Sequence, residues 1–145
     1  MKRVKLFSAI VVMAVVLFSC EQLLGTFTAS INGNTWNADA VIAAKNGNQY
    51  MITATTGSST IVMTIPGLTP GTYMINPQDT TVEALIYTPN TSTPTEYYLS
   101  TQGNLDLAKV ESGRVTGTFN VYAKNSVTTT DSIQITGQFS NILSN

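Results

Sequence analysis

The feature that most constrains this chain is an apolar alternation of period two, broken by turn residues about every ten positions. Phe27, Ala29 and Ile31 alternate with Thr28 and Ser30, and Asn32-Gly33-Asn34 then supplies the positive backbone angles of a tight hairpin before Trp36 begins the return. The stretch from Val41 to Lys45 ends at Asn46-Gly47-Asn48, a second such turn. Tyr50, Ile52 and Ala54 alternate with Met51, Thr53 and Thr55 up to Gly57-Ser58-Ser59, and Ile61, Met63 and Ile65 share the face of the strand that follows. Pro66-Gly67 and Pro70-Gly71 bracket a turn in which proline fixes one dihedral and glycine frees the next, and Tyr73, Met74 and Ile75 resume the sheet. No window carries a helical period.

Val82, Ala84 and Ile86 alternate with Glu83, Leu85 and Tyr87, so both faces are partly apolar and this strand is expected to be central or covered on two sides. Residues 88–95 hold Pro89 and Pro94 among Asn, Ser and Thr and read as an exposed loop. Tyr97, Leu99, Leu105 and Leu107 continue the sheet to a turn at Glu111-Ser112-Gly113. The last third holds an echo, Val115-Thr116-Gly117-Thr118-Phe119 and Ile135-Thr136-Gly137-Gln138-Phe139. Period two puts Val115, Gly117, Phe119 and Val121 on one face, as it does Ile133, Ile135, Gly137 and Phe139; a glycine opposite an aromatic ring leaves room for it, so these read as paired core strands. Trp36 is assigned to the core as well. The expected fold is a single all-β domain, an antiparallel β-sandwich of roughly eight to ten strands, with a closed barrel as the alternative.

The N-terminus follows another rule. Lys2, Arg3 and Lys5 precede an apolar run from Leu6 to Phe18 in which only Ser8 is polar, and the run closes at Leu17-Phe18-Ser19-Cys20 with the only cysteine. As a helix this run spans roughly 20 Å, short of the roughly 30 Å hydrocarbon core. A basic start, a short apolar segment and a small residue directly before cysteine are the requirements of lipoprotein processing, in which the thiolate takes a diacylglyceryl group and the peptide is cut before it. Residues 1–19 are thus expected to be a signal peptide, Cys20 to be lipidated, 20–26 to be a short tether and 27–145 to be the β domain. Fully extended, the six residues after Cys20 reach about 20 Å, which keeps the domain close to its membrane.

With these segments and turns, the sequence resembles the small lipoproteins of unknown function of Bacteroidota. The resemblance is carried by Phe27-Thr28-Ala29-Ser30-Ile31-Asn32-Gly33-Asn34-Thr35-Trp36, by Pro70-Gly71-Thr72-Tyr73, by Gly117-Thr118-Phe119 and by Ile135-Thr136-Gly137-Gln138-Phe139-Ser140-Asn141-Ile142. Phe18 is bulkier than the residue ordinarily found there and fits the looser lipoprotein motif of that phylum. The resemblance implies an all-β secreted domain on a lipid anchor and brings no activity with it; the expected place is the outer membrane or cell surface, with a periplasm-facing anchor as the alternative since only Glu21 is acidic just after Cys20.

Composition narrows the chemistry. The chain has no histidine, which removes Ser-His-Asp and Cys-His catalysis and the commonest zinc ligand. Its single cysteine permits no internal disulfide, and lipidation would leave no free thiol. Beyond residue 19, Lys45, Lys109, Arg114 and Lys124 face twice as many acidic residues, a balance unsuited to nucleic acid. A carboxylate pair of the glycosidase kind would have to come from Asp79, Glu83, Glu96, Asp106 or Glu111, none of them in a marked motif. No Asp-x-Asp run suggests calcium. No catalytic residue, metal or cofactor is therefore assigned. Tyr87, Tyr97 and Tyr98 flank the proline-bearing loop and are the candidate binding surface for a cell-envelope glycan or protein partner, against the simpler expectation that two of them pack on the core. The expected function is a non-catalytic binding or structural module on a membrane anchor; the alternatives are a carrier of a lipophilic ligand in a barrel and a carboxylate-dependent glycan hydrolase.

Overall fold

The structure, a computed structural model, describes residues 25–57, 59–76, 85–89 and 96–143. Cys20 and the expected signal segment lie outside the described residues, as do Asp79, Glu83 and the expected loop at 90–95. Ten strands follow one another: β1 (Thr26–Ile31), β2 (Asn34–Asn37), β3 (Ala40–Asn46), β4 (Gln49–Thr56), β5 (Ser59–Ile65), β6 (Gly71–Ile75), β7 (Leu85–Thr88), β8 (Tyr98–Glu111), β9 (Arg114–Asn125) and β10 (Ser132–Leu143). All pairings are antiparallel. The all-β class and the strand number agree with the alternation and turn signals of the sequence.

The tight turns explain the local register. Ile31 pairs with Asn34 and leaves Asn32-Gly33 as a two-residue turn with φ of 49° and 84°. Glu111 pairs with Arg114 and leaves Ser112-Gly113 with φ of 52° and 72°. Two left-handed residues in succession are the hairpin turn whose twist matches that of the flanking strands.

The strands form one sheet in the order β2-β1-β10-β9-β8-β7-β5-β4-β3, with β6 pairing β8 beside the path. The fourteen residues of β8 accommodate both neighbours, β7 at Tyr98 and Leu99 and β6 from Gly103 to Leu107. Register shifts between Ser100 and Gln102, between Leu107 and Lys109, and between Phe139 and Ile142 bend the long strands, because an extra residue on one strand increases its local twist. The sheet curls, and its two halves face each other as in a sandwich while remaining one continuous sheet as in a barrel.

A single crossing closes the curl. β2 and β3 stand at opposite ends of the sheet yet are joined by only Ala38 and Asp39. The Ala38 N–H donates to the Phe27 carbonyl of β1 at 3.0 Å, and the Asp39 N–H donates to the Thr55 carbonyl of β4 at 2.8 Å. Consecutive amides thus bond to the strands next to the two opposite edges. The Asp39 carboxylate fastens the crossing by accepting from Thr56 Oγ1 at 2.8 Å and from the Gly57 N–H at 3.2 Å.

The enclosed core is built on Phe27, Trp36, Phe119 and Phe139, all buried. The Phe27 ring centroid lies 5.4 Å from that of Phe119, 6.1 Å from that of Trp36 and 6.4 Å from that of Phe139. The repeated Gly-x-Phe elements interlock across the β9–β10 ladder, where Gly137 is opposite Phe119 and Phe139 is opposite Gly117. A Cβ on Gly137 would stand 2.4 Å from the Phe119 ring, and one on Gly117 would stand 2.6 Å from the Phe139 ring. Each glycine is the space its neighbour's ring occupies. The buried Trp36 Nε1–H donates to Ser59 Oγ at 2.9 Å, joining β2 to β5 across the core, and Ser59 Oγ donates onward to the Thr56 carbonyl.

Candidate functional site

Tyr87 and Tyr98 are directly opposed in the β7–β8 register, and their ring centroids are 6.1 Å apart. Both are half-buried and packed against the core. Tyr97 precedes Tyr98 by one residue, so strand alternation turns it to the outer side, where it is 42% exposed. The three tyrosines share one end of the molecule but not one surface: two brace the strand end, and one is presented to solvent.

The β9–β10 loop is folded onto this end. Asn125 is buried, and its Oδ1 accepts from the Val127 N–H at 2.8 Å and from the Thr128 N–H at 3.0 Å. The Ser126 N–H donates to the Tyr97 carbonyl at 2.8 Å, and the Tyr97 N–H donates back to Ser126 Oγ at 3.2 Å. The Tyr98 hydroxyl donates to the Asp131 carboxylate at 2.6 Å. This hydrogen bond to an anion holds the Tyr98 phenol above the ordinary tyrosine value, and burial raises that of Tyr87. Asn125, Ser126 and Asp131 belong to the site without having been singled out in the sequence. Their signal is weak, a run of turn-forming polar residues between two strands.

Asp39, Asp106, Glu111 and Asp131 are engaged by separate donors. Asp106 accepts from Thr72 Oγ1 at 2.5 Å and from Asn104 Nδ2 at 2.7 Å, Asp131 takes the Tyr98 hydroxyl, and Asp39 holds the β2–β3 crossing. Glu111 pairs with Lys109 on the surface, and the ammonium beside it lowers the carboxyl's pKa. Among the described residues, no group of three or more His, Cys, Asp or Glu is placed to hold a metal ion.

The core is filled. Among Met63, Ile75, Leu85, Leu105, Phe119 and Val121 the free space is about 10 Å³, the least that accommodates one water molecule. A larger groove of about 320 Å³ lies outside, beside the β2–β3 crossing, where Gly25, Thr26 and Thr28 face Asn37, Asp39 and Ile42. Gly25 has φ of +58°, and a Cβ there would stand 2.8 Å from the Ile142 backbone, so the chain enters the domain pressed against β10.

Residues 25–143 match the family described as Domain of unknown function (DUF6252). No curated protein and no solved structure matches the chain.

Proposed function

We propose that this chain, which belongs to the DUF6252 family, is a lipid-anchored protein of the cell envelope, at the outer membrane or cell surface, that acts as a non-catalytic binding or structural module. The observation that carries the reading is the small core space among the described residues. A small-molecule site ordinarily occupies about 300–1,000 Å³, and the space of about 10 Å³ among the residues around Phe119 is far below that, which supports the outer surface as the place of contact. The carrier alternative draws no support from such a core, and the hydrolase alternative draws none from carboxylates already held by separate donors.

The anchor rests on Cys20 at the end of a basic and then apolar leader. The contact region is the tyrosine end, with Tyr97 as the exposed ring and the Tyr87–Tyr98 pair as its rigid support. Its partner is a cell-envelope glycan or protein. Metabolic labelling with a fatty acid tests the anchor: label is expected on the wild type, and its loss together with release of the protein is expected for Cys20→Ala. Unchanged attachment of that variant would overturn the reading. Tyr97→Ala tests the contact. Retention on envelope material should fall while the melting temperature holds, and equal retention would remove Tyr97 from the role.

A further inference from the structure

The outward faces of the two halves of the sheet differ in chemistry. Over β9 and β10 the outward residues are mainly polar, among them Thr118, Asn120, Gln134, Thr136 and Gln138, with Tyr122 and Leu143 as the exposed apolar side chains. On the other half, the ladder registers align Ile42, Thr53, Val62, Ile86 and Leu99 in one row across β3, β4, β5, β7 and β8. Ile42 is 68% exposed and Leu99 41%, and Met51, one step along β4 from Thr53, is also 41% exposed. Scattered singly, such residues would need no explanation. In register across five strands, spaced about 4.8 Å apart, they form a stripe roughly 20 Å long. The strands β4, β5 and β7 contain no charged residue.

We propose that this face, the outer side of β3, β4, β5 and β7, is seated on the lipid surface to which the chain is tethered. The inference rests on the reading of Cys20 as the anchor. The choice of occupant comes from where the remaining chain joins the domain. Gly25 and Ile42 line the same groove, so the segment carrying Cys20 joins the domain beside the first residue of the stripe. Four residues lie between Cys20 and Gly25, and the five steps from one to the other span at most about 17 Å, which brings the bilayer to this side of the domain. Charge agrees with the placement. Asp106 and Glu111 belong to the part of β8 beyond its pairing with β7, Asp39 beside the groove is held by Thr56 and Gly57, and at the far end of the stripe Glu96, three residues before Leu99, is joined by Lys124, opposite Leu99, a cation suited to lipid phosphates. An uncharged face of threonine and aliphatic side chains fits the zone between headgroups and acyl chains, where a charged face would lose its hydration.

The test uses the full chain, processed by its host and reconstituted in vesicles of phosphatidylethanolamine and phosphatidylglycerol at low protein density. Single cysteines replace Met51 or Thr53 on the stripe and Thr136 or Gln138 on the opposite half, and each carries a fluorophore. Quenching by doxyl-labelled lipid is expected at 51 and 53 and not at 136 and 138, with the reverse pattern for aqueous iodide. Equal iodide quenching at all four positions would overturn the proposal. So would protection of 51 and 53 from both quenchers, the pattern of a second copy covering the face. The anchor reports separately, because a lipidated Cys20 leaves one labelled thiol per chain and a free Cys20 gives two. Two labels with the quenching contrast intact would overturn the anchor and support the face; one label without the contrast would overturn the face and leave the anchor standing.

Discussion

Gly117 and Gly137 show how little side chain the core tolerates. A methyl group at Gly137 meets the Phe119 ring and the Thr28 carbonyl, each 2.4 Å from the new carbon, and the carbonyl belongs to a ladder that cannot swing aside. Gly137→Ala should therefore cost about 1–3 kcal/mol, read as a fall in the midpoint of urea unfolding. At the tyrosine end, Tyr98→Phe removes the bond to Asp131. Because the Tyr98–Asp131 bond lies at the exposed end of a half-buried ring and solvent screens the pair, the loss at neutral pH should be about 0.5 kcal/mol, the low end for a hydrogen bond. The folded state raises the pKa of Tyr98 and of Tyr87 above the ordinary 10.0. A raised pKa gives stability that is fully present below the unfolded value and is lost as the pH climbs through the folded one. The gap in stability between wild type and Tyr98→Phe should accordingly narrow as the pH passes above 10.0. Denaturation curves on either side of that pH measure it, and a constant gap would show that the Asp131 bond does not govern the Tyr98 phenol.

Among the elements, the short β2–β3 crossing does work out of proportion to its length. It joins the two ends of a long sheet, and its fastenings are two amides, the Asp39 carboxylate and the Trp36–Ser59 bond. Ser59→Ala leaves the Trp36 N–H buried without its acceptor and should destabilise by about 1–3 kcal/mol. Trp36 is the only tryptophan, so its emission reports on this site alone. Asp39→Ala should speed amide exchange in β3 and in the first residues of β1 ahead of the β9–β10 ladder, since it loosens the crossing without touching the Gly-Phe interlock. Uniform exchange across the sheet would mean that the crossing does not open separately from the rest.

For the whole molecule, the sheet pairs the first and last described strands. β1 and β10 are neighbours, and Phe27 is opposite Phe139 in their register. The largest core rings therefore come together only after contacts of long sequence separation form, which slows folding by the entropy of closing such loops. Refolding followed by Trp36 emission should fall in the millisecond-to-second range. Phe119→Ala, which empties the centre of the aromatic cluster, should cost about 3–5 kcal/mol. For a domain of ordinary stability that is a large share of the total.

Period-two alternation, the glycine and asparagine turns and the phase of Phe119 and Phe139 are local properties, and the sequence by itself determined them, because side-chain direction along a strand and the backbone angles of a two-residue turn depend on neighbouring residues only. The same logic assigned Trp36 to the core and allowed two of the three tyrosines to pack inward, but only the register of β7 against β8 decided that Tyr87 meets Tyr98 while Tyr97 faces out. Sandwich and barrel share one alternation, so the choice of a single curled sheet came from the bulges in β8 and β10 and from the β2–β3 crossing, features fixed by pairing between distant strands. The loop at Asn125–Asp131 gained its role only when folding laid it against Tyr97 and Tyr98. The stripe from Ile42 to Leu99 was hidden for the same reason: its members lie far apart in the chain, and only strand pairing, which acts across the chain rather than along it, sets them in one row.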